Sequence, residues 1–506
     1  MQTATKVIFN TIVLYVKILM TMAIALISVP LVLKALGASD YGLYNLVAGI
    51  VAMLAFLNNS MTVSSQRYMS VAMGEGNKEK INQIYNASFI LHVCFAVGVA
   101  LMLEIIGLPS IGKLNIDPNR LWCAKVIFQF LIISMFSKII AVPFDAIMNA
   151  HEDMLAFSVI ELIDSFIMLT IAITLQYISV DKLAFYGFAV AFIAILTLLM
   201  KYGWCCRTYK DYRITCKVKV GKPLIKDMLG FTGWNLFGGL AMMGRNQGVA
   251  VIFNIFLGTV ANAAYGVANQ INGALNNFSS TFQRAINPQL MKSEGMGDRE
   301  RLHKISLISS KFSVIALCMI SIPLIIEMDD VLKIWLRNDI PESTLELSRC
   351  ILALSILYQF STGLMSAIQA TGNIKNYQIT MGCLILTNIP IAYYILKLGY
   401  PIYYVTVGFI MIEAISLVVR IYMAKAIAGI SPMDFVKNVI IPCIVICAIP
   451  SVCSIVPYMM INETWPRLIV VSATYGIMYI LLTWLFALDK LQRVAVVNKI
   501  KSKMHG

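Results

Sequence analysis

The sequence carries very little charge for its length. Lys, Arg, Asp and Glu make up 13% of its 506 residues, whereas they make up about a quarter of an ordinary soluble domain. The mean hydropathy of +0.78 points the same way. The composition therefore excludes a water-soluble globular protein and indicates a polytopic membrane protein.

Metal-site and disulfide patterns are also lacking. The four His residues are scattered, and the 11 Cys residues show no paired C-x-x-C spacing. Most of the Cys residues lie in apolar runs, where they behave as small hydrophobic side chains. We therefore predict no disulfide framework, no metal site and no cofactor.

What the sequence has in abundance is apolar runs long enough to cross a membrane. A hydrocarbon core of about 30 Å takes roughly 20 helical residues to cross. Fourteen such runs lie near 8–33, 41–65, 83–108, 120–142, 153–177, 183–204, 229–257, 260–287, 305–327, 346–370, 376–397, 402–424, 438–460 and 467–488. They predict an all-α protein with about 14 transmembrane helices.

The basic residues are concentrated in alternate loops. About 26 Lys and Arg residues fall on one side of the membrane and about 9 on the other, which by the positive-inside rule makes the richer side cytoplasmic. That side holds the N-terminus, the stretches 201–226 and 284–304, and a tail with Lys490, Arg493, Lys499, Lys501 and Lys503. Both termini are therefore predicted to be cytoplasmic. The net charge of +14 is a topology signal, and we expect no nucleic-acid partner.

Short motifs recur in the same order in the two halves of the chain. LG at 36, LNN at 57, QR at 66 and EG at 75 return at 257, 275, 283 and 294, displaced by 217 to 221 residues. Six helices per copy make the two copies parallel. We predict an N-terminal six-helix bundle (1–204), a basic cytoplasmic linker (205–228), a C-terminal six-helix bundle (229–428), and two further transmembrane helices with a basic tail (429–506).

The eighth apolar run is unusually rich in asparagine. Polar residues at spacings of 4, 3, 4, 3 and 4 lie on one helix face: Tyr265, Asn269, Asn272, Asn276, Ser279 and Gln283. The second run carries a weaker copy that includes Asn45 and Asn59. Amides either hold membrane helices together or line a water-filled cavity, where they bind the hydroxyls of a glycan. Because packing needs only one or two amides, we expect this face to line a cavity.

Several charged residues lie deep inside predicted spans. A cation at the centre of a membrane helix costs about 2.5 to 3.5 kcal/mol, so Lys17 and Arg245 should face a cavity or a partner. Their shared sign indicates an anionic cargo, and a guanidinium matches phosphate oxygens well. The acids Glu161, Asp164 and Glu413 either balance these cations or carry coupling ions.

An enzyme of membrane polysaccharide synthesis, such as a glycosyltransferase or polymerase, is the alternative of a different class. Such enzymes need acid, base or metal-binding groups at a membrane face. Glu327, Asp329 and Asp330 form the one acidic cluster predicted to face outside, in a short loop that we expect to be solvated. We therefore predict that the protein is not an enzyme.

The segment LNNSMTVSSQRYMSVAMGEGN and its echo LNNFSSTFQRAINPQL resemble the polysaccharide-transport branch of the multidrug/oligosaccharidyl-lipid/polysaccharide exporter superfamily. The sequence looks most like bacterial inner-membrane flippases for O-antigen and related repeat units. This resemblance implies two bundles that move a polyprenyl-pyrophosphate-linked oligosaccharide between leaflets, with cavity cations holding the pyrophosphate. Lys17 and Arg245 are the residues that would do so here.

The resemblance also implies partners and rivals. The partners are the lipid-linked oligosaccharide, membrane lipid, a coupling proton or sodium ion, and the polysaccharide polymerase machinery. A lipid II flippase and a multidrug antiporter of the same superfamily remain open. The antiporters more typically keep acidic residues in the N-terminal bundle, whereas the first helix here carries Lys17 and no acid.

Overall fold

The computed structural model describes residues 2–52, 54–114, 116–215, 220–337, 340–487 and 493. These residues are almost entirely helical and contain no β-strand, which confirms the predicted all-α fold. The tail lysines at 490, 499, 501 and 503 and part of the predicted linker (216–219) lie outside the described residues. The α-helices are α1 (Gln2–Ala52), α2 (Ala55–Gly74), α3 (Lys78–Met102), α4 (Leu108–Ile111), α5 (Leu121–Ala150), α6 (Met154–Thr174), α7 (Lys182–Thr208), α8 (Lys222–Gly295), α9 (Arg299–Ile326), α10 (Met328–Leu336), α11 (Thr344–Gln359), α12 (Thr362–Thr371), α13 (Lys375–Leu386), α14 (Asn388–Lys397), α15 (Ile402–Ala428), α16 (Pro432–Phe435), α17 (Ile441–Met460) and α18 (Thr464–Leu482).

Two helices, α1 and α8, are each broken by one glycine. Gly37 in α1 has φ 79° and Gly258 in α8 has φ 75°, a backbone conformation that glycine adopts because it has no Cβ. Within the described residues, eleven helices are long and apolar enough to cross a membrane, and the bent pair α11–α12 makes a twelfth. Counting the parts of α1–α2 and of α8 on either side of these glycines as separate spans gives the fourteen predicted.

The internal repeat is visible in the helix boundaries. Helix α5 ends at Ala150 and α12 at Thr371, while α6 begins at Met154 and α13 at Lys375. Both pairs of boundaries are displaced by 221 residues, as are the two breaking glycines. The recurrence of short motifs along the sequence therefore corresponds to a recurrence of helix ends.

One of the matched motifs is out of register. Gly76 and Gly297 both have positive φ, at 71° and 70°, and they too are 221 residues apart. The counterpart of Gly76 is therefore Gly297, and the matched EG motif at 294 lies two residues too early. Motif matching failed here because the turn selects a glycine by its backbone conformation, whichever residue precedes it.

The chain divides into two compact units. Unit 1 comprises 1–240 and 287–298, and unit 2 comprises 241–286 and 299–506. Helix α8 therefore contributes to both units, because its polar middle part belongs to unit 2 and its last turns belong to unit 1. These bounds differ from the predicted domain bounds, which were placed at loops. The chain instead changes unit inside a helix.

Each unit has its own apolar core. In unit 1, α5 supplies the fully buried Ile127 and Phe128, which pack with Val47 of α1. In unit 2, Val249 and Phe253 of α8 pack with Val405 of α15. The cores fix the rotation of α1 and α8, and so decide which of their faces remain exposed.

Candidate functional site: a polar face on α8 and intramembrane charges

The predicted asparagine stripe of α8 is largely occupied by contacts inside unit 2. The Asn276 amide donates hydrogen bonds to the Asn272 side-chain oxygen and to the Ser355 hydroxyl, both at 2.9 Å. The Gln359 amide donates to the Asn276 side-chain oxygen at 3.0 Å, and the Gln283 amide donates to Gln359 at 3.2 Å. These amides hold α8 to α11, as the packing interpretation expects.

The rest of the stripe is mixed. Ser279 is fully buried and donates to the Ser313 carbonyl at 3.2 Å, so the expectation that it lines water is corrected. Tyr265 is partly buried, edge-on to the Phe253 ring at 5.1 Å. Asn269 is exposed and donates to the Tyr265 carbonyl at 2.8 Å. Only Asn269 of these three faces outward.

A second face of α8, one residue further round the helix, is the exposed one. Its residues follow each other at spacings of 3, 4, 3, 4, 3 and 4: Ala263, Gly266, Gln270, Gly273, Asn277, Ser280 and Arg284. We call this row the polar face. It rises roughly 32 Å at about 1.5 Å per residue, which is about the thickness of a hydrocarbon core.

The polar face has no apolar cover. Between 261 and 295 no large hydrophobic side chain is exposed, whereas just before it Val251, Ile255 and Val260 are 57%, 71% and 57% exposed. A helix face with amides and a guanidinium is unfavourable against lipid. The polar face must therefore contact water or another polar surface, while the preceding part of α8 suits lipid.

The polar face is also open to a ligand. Gln270 and Asn277 make no side-chain hydrogen bond to any group in the described part of the chain. No atom lies within 4 Å of where a Cβ on Gly266 or Gly273 would be. Unused amides beside bare backbone let a flat, hydroxyl-rich molecule approach closely and form hydrogen bonds.

The predicted site residues of the second helix lie on the matching face. Asn45 and Asn59 are both exposed. In the 221-residue register they align with Gly266 and Ser280 of the polar face. Each repeat therefore presents polar or small residues at the same two positions.

Lys17 is neutralised within unit 1. Its ammonium forms an ion pair with Glu161 of α6, and it lies 5.4 Å from the centre of the Phe157 ring. Lys201 of α7 lies over the same ring at 5.1 Å and 3.9 Å from Glu161. Glu161 thus has the balancing contact that was one of its two predicted roles.

Lys201 corrects the predicted loop assignment. The prediction placed it at the start of a basic cytoplasmic stretch and Asp145 in interfacial water. The structure buries Lys201 inside α7, where its ammonium pairs with Asp145 at 2.7 Å. Residues 56 positions apart meet because α5 and α7 pack side by side, which charge counting along the sequence does not reveal.

The charged cluster of unit 1 holds more acid than base. Asp164 accepts a hydrogen bond from the Thr197 hydroxyl at 2.7 Å, one helical turn from Glu161. With Asp145, Glu161 and Asp164 against Lys17 and Lys201, three carboxylates face two ammonium groups. This cluster is therefore able to hold one further cation or proton.

Glu413 in unit 2 has a partner that sequence reasoning missed. It forms a buried ion pair with Arg420 of the same helix, and Arg420 also donates to the Ser361 hydroxyl at 3.1 Å. The seven-residue spacing places both side chains on one face of α15, so the pair was visible in the sequence as a signal. Glu413 balances Arg420, not Arg245.

Arg245 is the cation that keeps its charge unbalanced in the described part of unit 2. Its guanidinium bonds to the side-chain oxygen of Asn246 at 2.7 and 3.1 Å and lies 5.8 Å from the centre of the Phe409 ring. No carboxylate among the described residues pairs with it. In the 221-residue register it lies two turns from the position that matches Lys17, so the two cations share equivalent helices but not equivalent depths.

The acidic cluster expected in a solvated outer loop is partly buried. Glu327 accepts from Arg467 of α18 at 3.2 Å, and Asp330 pairs with the same guanidinium. Asp329 is the exposed member and pairs with Lys333 at 2.5 Å. The expectation of solvation is therefore corrected for Glu327 and Asp330, which fasten α18 to α10.

No known family matches the sequence, and no curated protein matches it. Solved structures, however, share its fold. A MATE point mutant is 14% identical with a TM-score of 0.74. A MOP superfamily transporter from Pyrococcus furiosus, described as having a binding pocket of reverse polarity that suggests a different function, is 14% identical with a TM-score of 0.70. An outward-facing multidrug resistance MATE family transporter is 13% identical with a TM-score of 0.71.

Each of these three matches covers 84% of this chain and 96% of the other chain. Identities this low show the fold and nothing further. The chain therefore has the fold of the MATE transporters of the MOP superfamily, a multi-pass helical membrane fold. This confirms the predicted superfamily at the level of fold.

Proposed function

We propose that the protein is a flippase for a lipid-linked oligosaccharide. It would carry a repeat unit on polyprenyl pyrophosphate from the cytoplasmic to the periplasmic leaflet of a bacterial inner membrane by alternating access, with both termini cytoplasmic. The repeat unit would be that of O-antigen or another surface polysaccharide, delivered to the polymerase machinery. The observation that carries this proposal is the polar face of α8, which is as long as the membrane is thick.

The polar face suits the sugar part of this cargo. Neutral amides both donate and accept hydrogen bonds, as a chain of sugar hydroxyls requires. Gly266 and Gly273 leave room for a sugar ring against the backbone. A small cationic drug would make no use of a polar row of this length.

Arg245 suits the pyrophosphate. A guanidinium binds phosphate oxygens with two parallel hydrogen bonds, and Arg245 has no competing carboxylate within the described residues. Lys17 is a weaker candidate than the sequence indicated, because Glu161 already pairs with it. We assign Arg245 the first contact with the anionic headgroup, and Lys17 a contact that depends on release by Glu161.

The acid-rich cluster of unit 1 supports a role in coupling. Glu161 and Asp164 are the candidates for carrying a proton or sodium ion, since they share two lysines with a third carboxylate. The same cluster favours the second candidate function, a multidrug antiporter, because such proteins use acids to bind cations. A lipid II flippase would share the polar face and Arg245 with the first proposal.

The test of the proposal is glycan display in a strain that lacks its own flippase. We expect the wild-type chain to restore display, Arg245→Lys to restore it partly, and Arg245→Ala to abolish it. A bidentate charged contact is worth roughly 1.5 to 3 kcal/mol, or about ten- to a hundredfold in affinity. Membrane levels are checked by immunoblot. Full display by a well-expressed Arg245→Ala protein would show that the arginine is structural.

The same strain separates the alternatives. Tolerance to cationic dyes without any glycan display would favour the antiporter, and rescue of cells depleted of a lipid II flippase would favour that rival. Lys17→Met serves as the matched variant for Arg245→Ala. Because Lys17 is already paired, we expect Lys17→Met to reduce display less than Arg245→Ala does.

The polar face gives a second prediction. Asn277→Leu should lower display by roughly tenfold, because it removes hydrogen bonds to the sugar. It should also leave the fold intact, because Asn277 makes no side-chain hydrogen bond within the described residues. Its neighbour Asn276 holds α8 to α11, so Asn276→Leu should lower the amount of folded protein instead. Equal display by Asn277→Leu and wild type at equal membrane levels would remove the polar face from the site.

A further inference from the structure

The corner between α5 and α6 contains a buried carboxylate that the proposed site does not use. The Glu152 side chain is 2% exposed and forms an ion pair with Lys292 near the end of α8. It also accepts a hydrogen bond from the Gln289 amide at 2.6 Å. A second ammonium, that of Lys6, lies 3.9 Å away and is half exposed. All four residues belong to unit 1.

The backbone of this corner is held in an unfavourable conformation. Glu152 has φ 61°, which is uncommon for a residue with a Cβ and persists only when its surroundings enforce it. Its carbonyl accepts from the Asn10 amide at 3.1 Å, and the His151 carbonyl accepts from Lys6 at 3.0 Å. The His151 ring stacks on Tyr209 at 4.4 Å. The corner is therefore a rigid anchor for the carboxylate.

The His151 ring adds no charge to this anchor at neutral pH. Burial, with the nearby Lys292 and Lys6 as further causes, lowers its pKa to about 4. The ion pair of Glu152 therefore involves lysines alone under ordinary conditions.

The end of α8 is held at a second point by direct backbone contact with α2. A Cβ on Gly74 would collide with the backbone of Lys292, and a Cβ on Gly295 would collide with the Val71 carbonyl. In the 221-residue register Gly74 matches Gly295 and Val71 matches Lys292. The contact is thus made twice by equivalent positions, and glycine is required because the two helices touch there.

Between this fastened end and the polar face, α8 contains a proline. Pro288 lies inside the helix, where it lacks an N–H and crowds the carbonyl of residue 284, the usual cause of a kink or hinge. The polar face ends at Arg284, and the fastened segment begins at Gln289. The chain also changes from unit 2 to unit 1 between Ile286 and Asn287. A change in direction of α8 is therefore easiest at Pro288.

We infer that Glu152, Lys292 and Gln289 form a releasable latch that holds the end of α8 in the present state and opens during the transport cycle. Movement of the polar face about Pro288 strains the contacts at residues 289–295. Once Lys292 leaves, Lys6 is the cation that keeps the buried carboxylate paired, so that opening does not strand a buried charge. The inference rests on the proposed function, because the latch controls access to the polar face from the predicted cytoplasmic side.

The test is a cysteine-accessibility experiment on the full chain in membrane vesicles. The exposed cysteines Cys94, Cys206 and Cys383 are replaced by serine, and a water-soluble maleimide is the probe. Ser293→Cys, fully buried beside the latch, reports opening. Ser88→Cys, equally buried in α3, reports general loosening of unit 1. We expect Glu152→Gln to raise the labelling rate at 293 about tenfold and to leave the rate at 88 unchanged. Equal increases at both positions, or none at either, would overturn the latch.

A locking experiment measures the consequence for transport. A double variant, Glu152→Cys with Lys292→Cys, is bridged by a short thiol-reactive cross-linker and then released by a reductant. We expect cross-linking to stop glycan display by newly made lipid-linked units and reduction to restore it. Display by the cross-linked protein at the uncross-linked rate would show that the latch never needs to open. The labelling experiment needs no cargo, so the latch stands or falls separately from the flippase proposal.

Discussion

Replacing Glu152 with alanine is expected to lower the free energy of unfolding by about 3 to 5 kcal/mol, because it leaves the largely buried ammonium of Lys292 without its carboxylate. Gln289 loses its hydrogen-bond acceptor in the same change. The measurement is thermal or denaturant unfolding of the purified protein in one detergent, followed by the loss of monodisperse protein. A melting midpoint within error of wild type would contradict the buried pair.

Two further variants separate this effect from a general loss of charge. The double variant Glu152→Ala with Lys292→Met removes both charges, so it should be more stable than Glu152→Ala alone. Asp211→Ala breaks an ion pair that is 2.7 Å long but exposed, with Lys78. Exposed pairs contribute little to stability, so the unfolding of Asp211→Ala should match that of wild type.

Replacing Gly295 with alanine is the second change for which a large effect is expected. The added methyl would overlap the Val71 carbonyl and approach the Glu75 amide nitrogen, and backbone atoms give way less readily than side chains. Overpacking of this kind costs about 1 to 3 kcal/mol, occasionally more. We expect a lower melting midpoint and a lower yield of folded protein.

Gly233 provides the matched control in the same helix. Nothing lies within 4 Å of where its Cβ would be, so Gly233→Ala should be neutral or stabilising by up to about 1 kcal/mol, the difference in helix propensity. If Gly295→Ala and Gly233→Ala behaved alike, the close approach of α2 and α8 would be refuted. Gly74→Ala tests the equivalent contact and should resemble Gly295→Ala.

The spans were predictable because a membrane imposes one length on every helix that crosses it. The repeat was predictable in outline for a related reason, since matching helix ends require matching breaks. Its register was not, because Gly297 and Gly295 are the same letter in the sequence. Only the backbone conformation of Gly297 identifies it as the partner of Gly76.

The location of the polar face shows where periodicity stops being informative. Asn276 and Asn277 are adjacent, and each belongs to a row with helical spacing. Which row packs and which is exposed depends on the partners that Ser355 and Gln359 supply from α11. A single helix contains no information about its neighbours, so both rows were equally credible from the sequence.

The charge pairs were hidden for the same reason. Lys17 and Glu161 are 144 residues apart in the sequence, and they meet only because α1 packs against α6. Glu413 and Arg420 were the exception, since both lie on one face of one helix. Charges inside spans were correctly singled out, while their partners required the packing of the helices.

The exchange of α8 between the two units has a consequence for biosynthesis. Residues 287–298 complete unit 1 but are translated only after 241–286 of unit 2. The first six spans therefore emerge from the ribosome with the corner at Glu152 still lacking Gln289 and Lys292. We expect a truncated chain that stops after α7 to be captured by membrane quality control, whereas one that extends through Asp298 should escape it. Unit 1 thus matures late, although its sequence begins the chain.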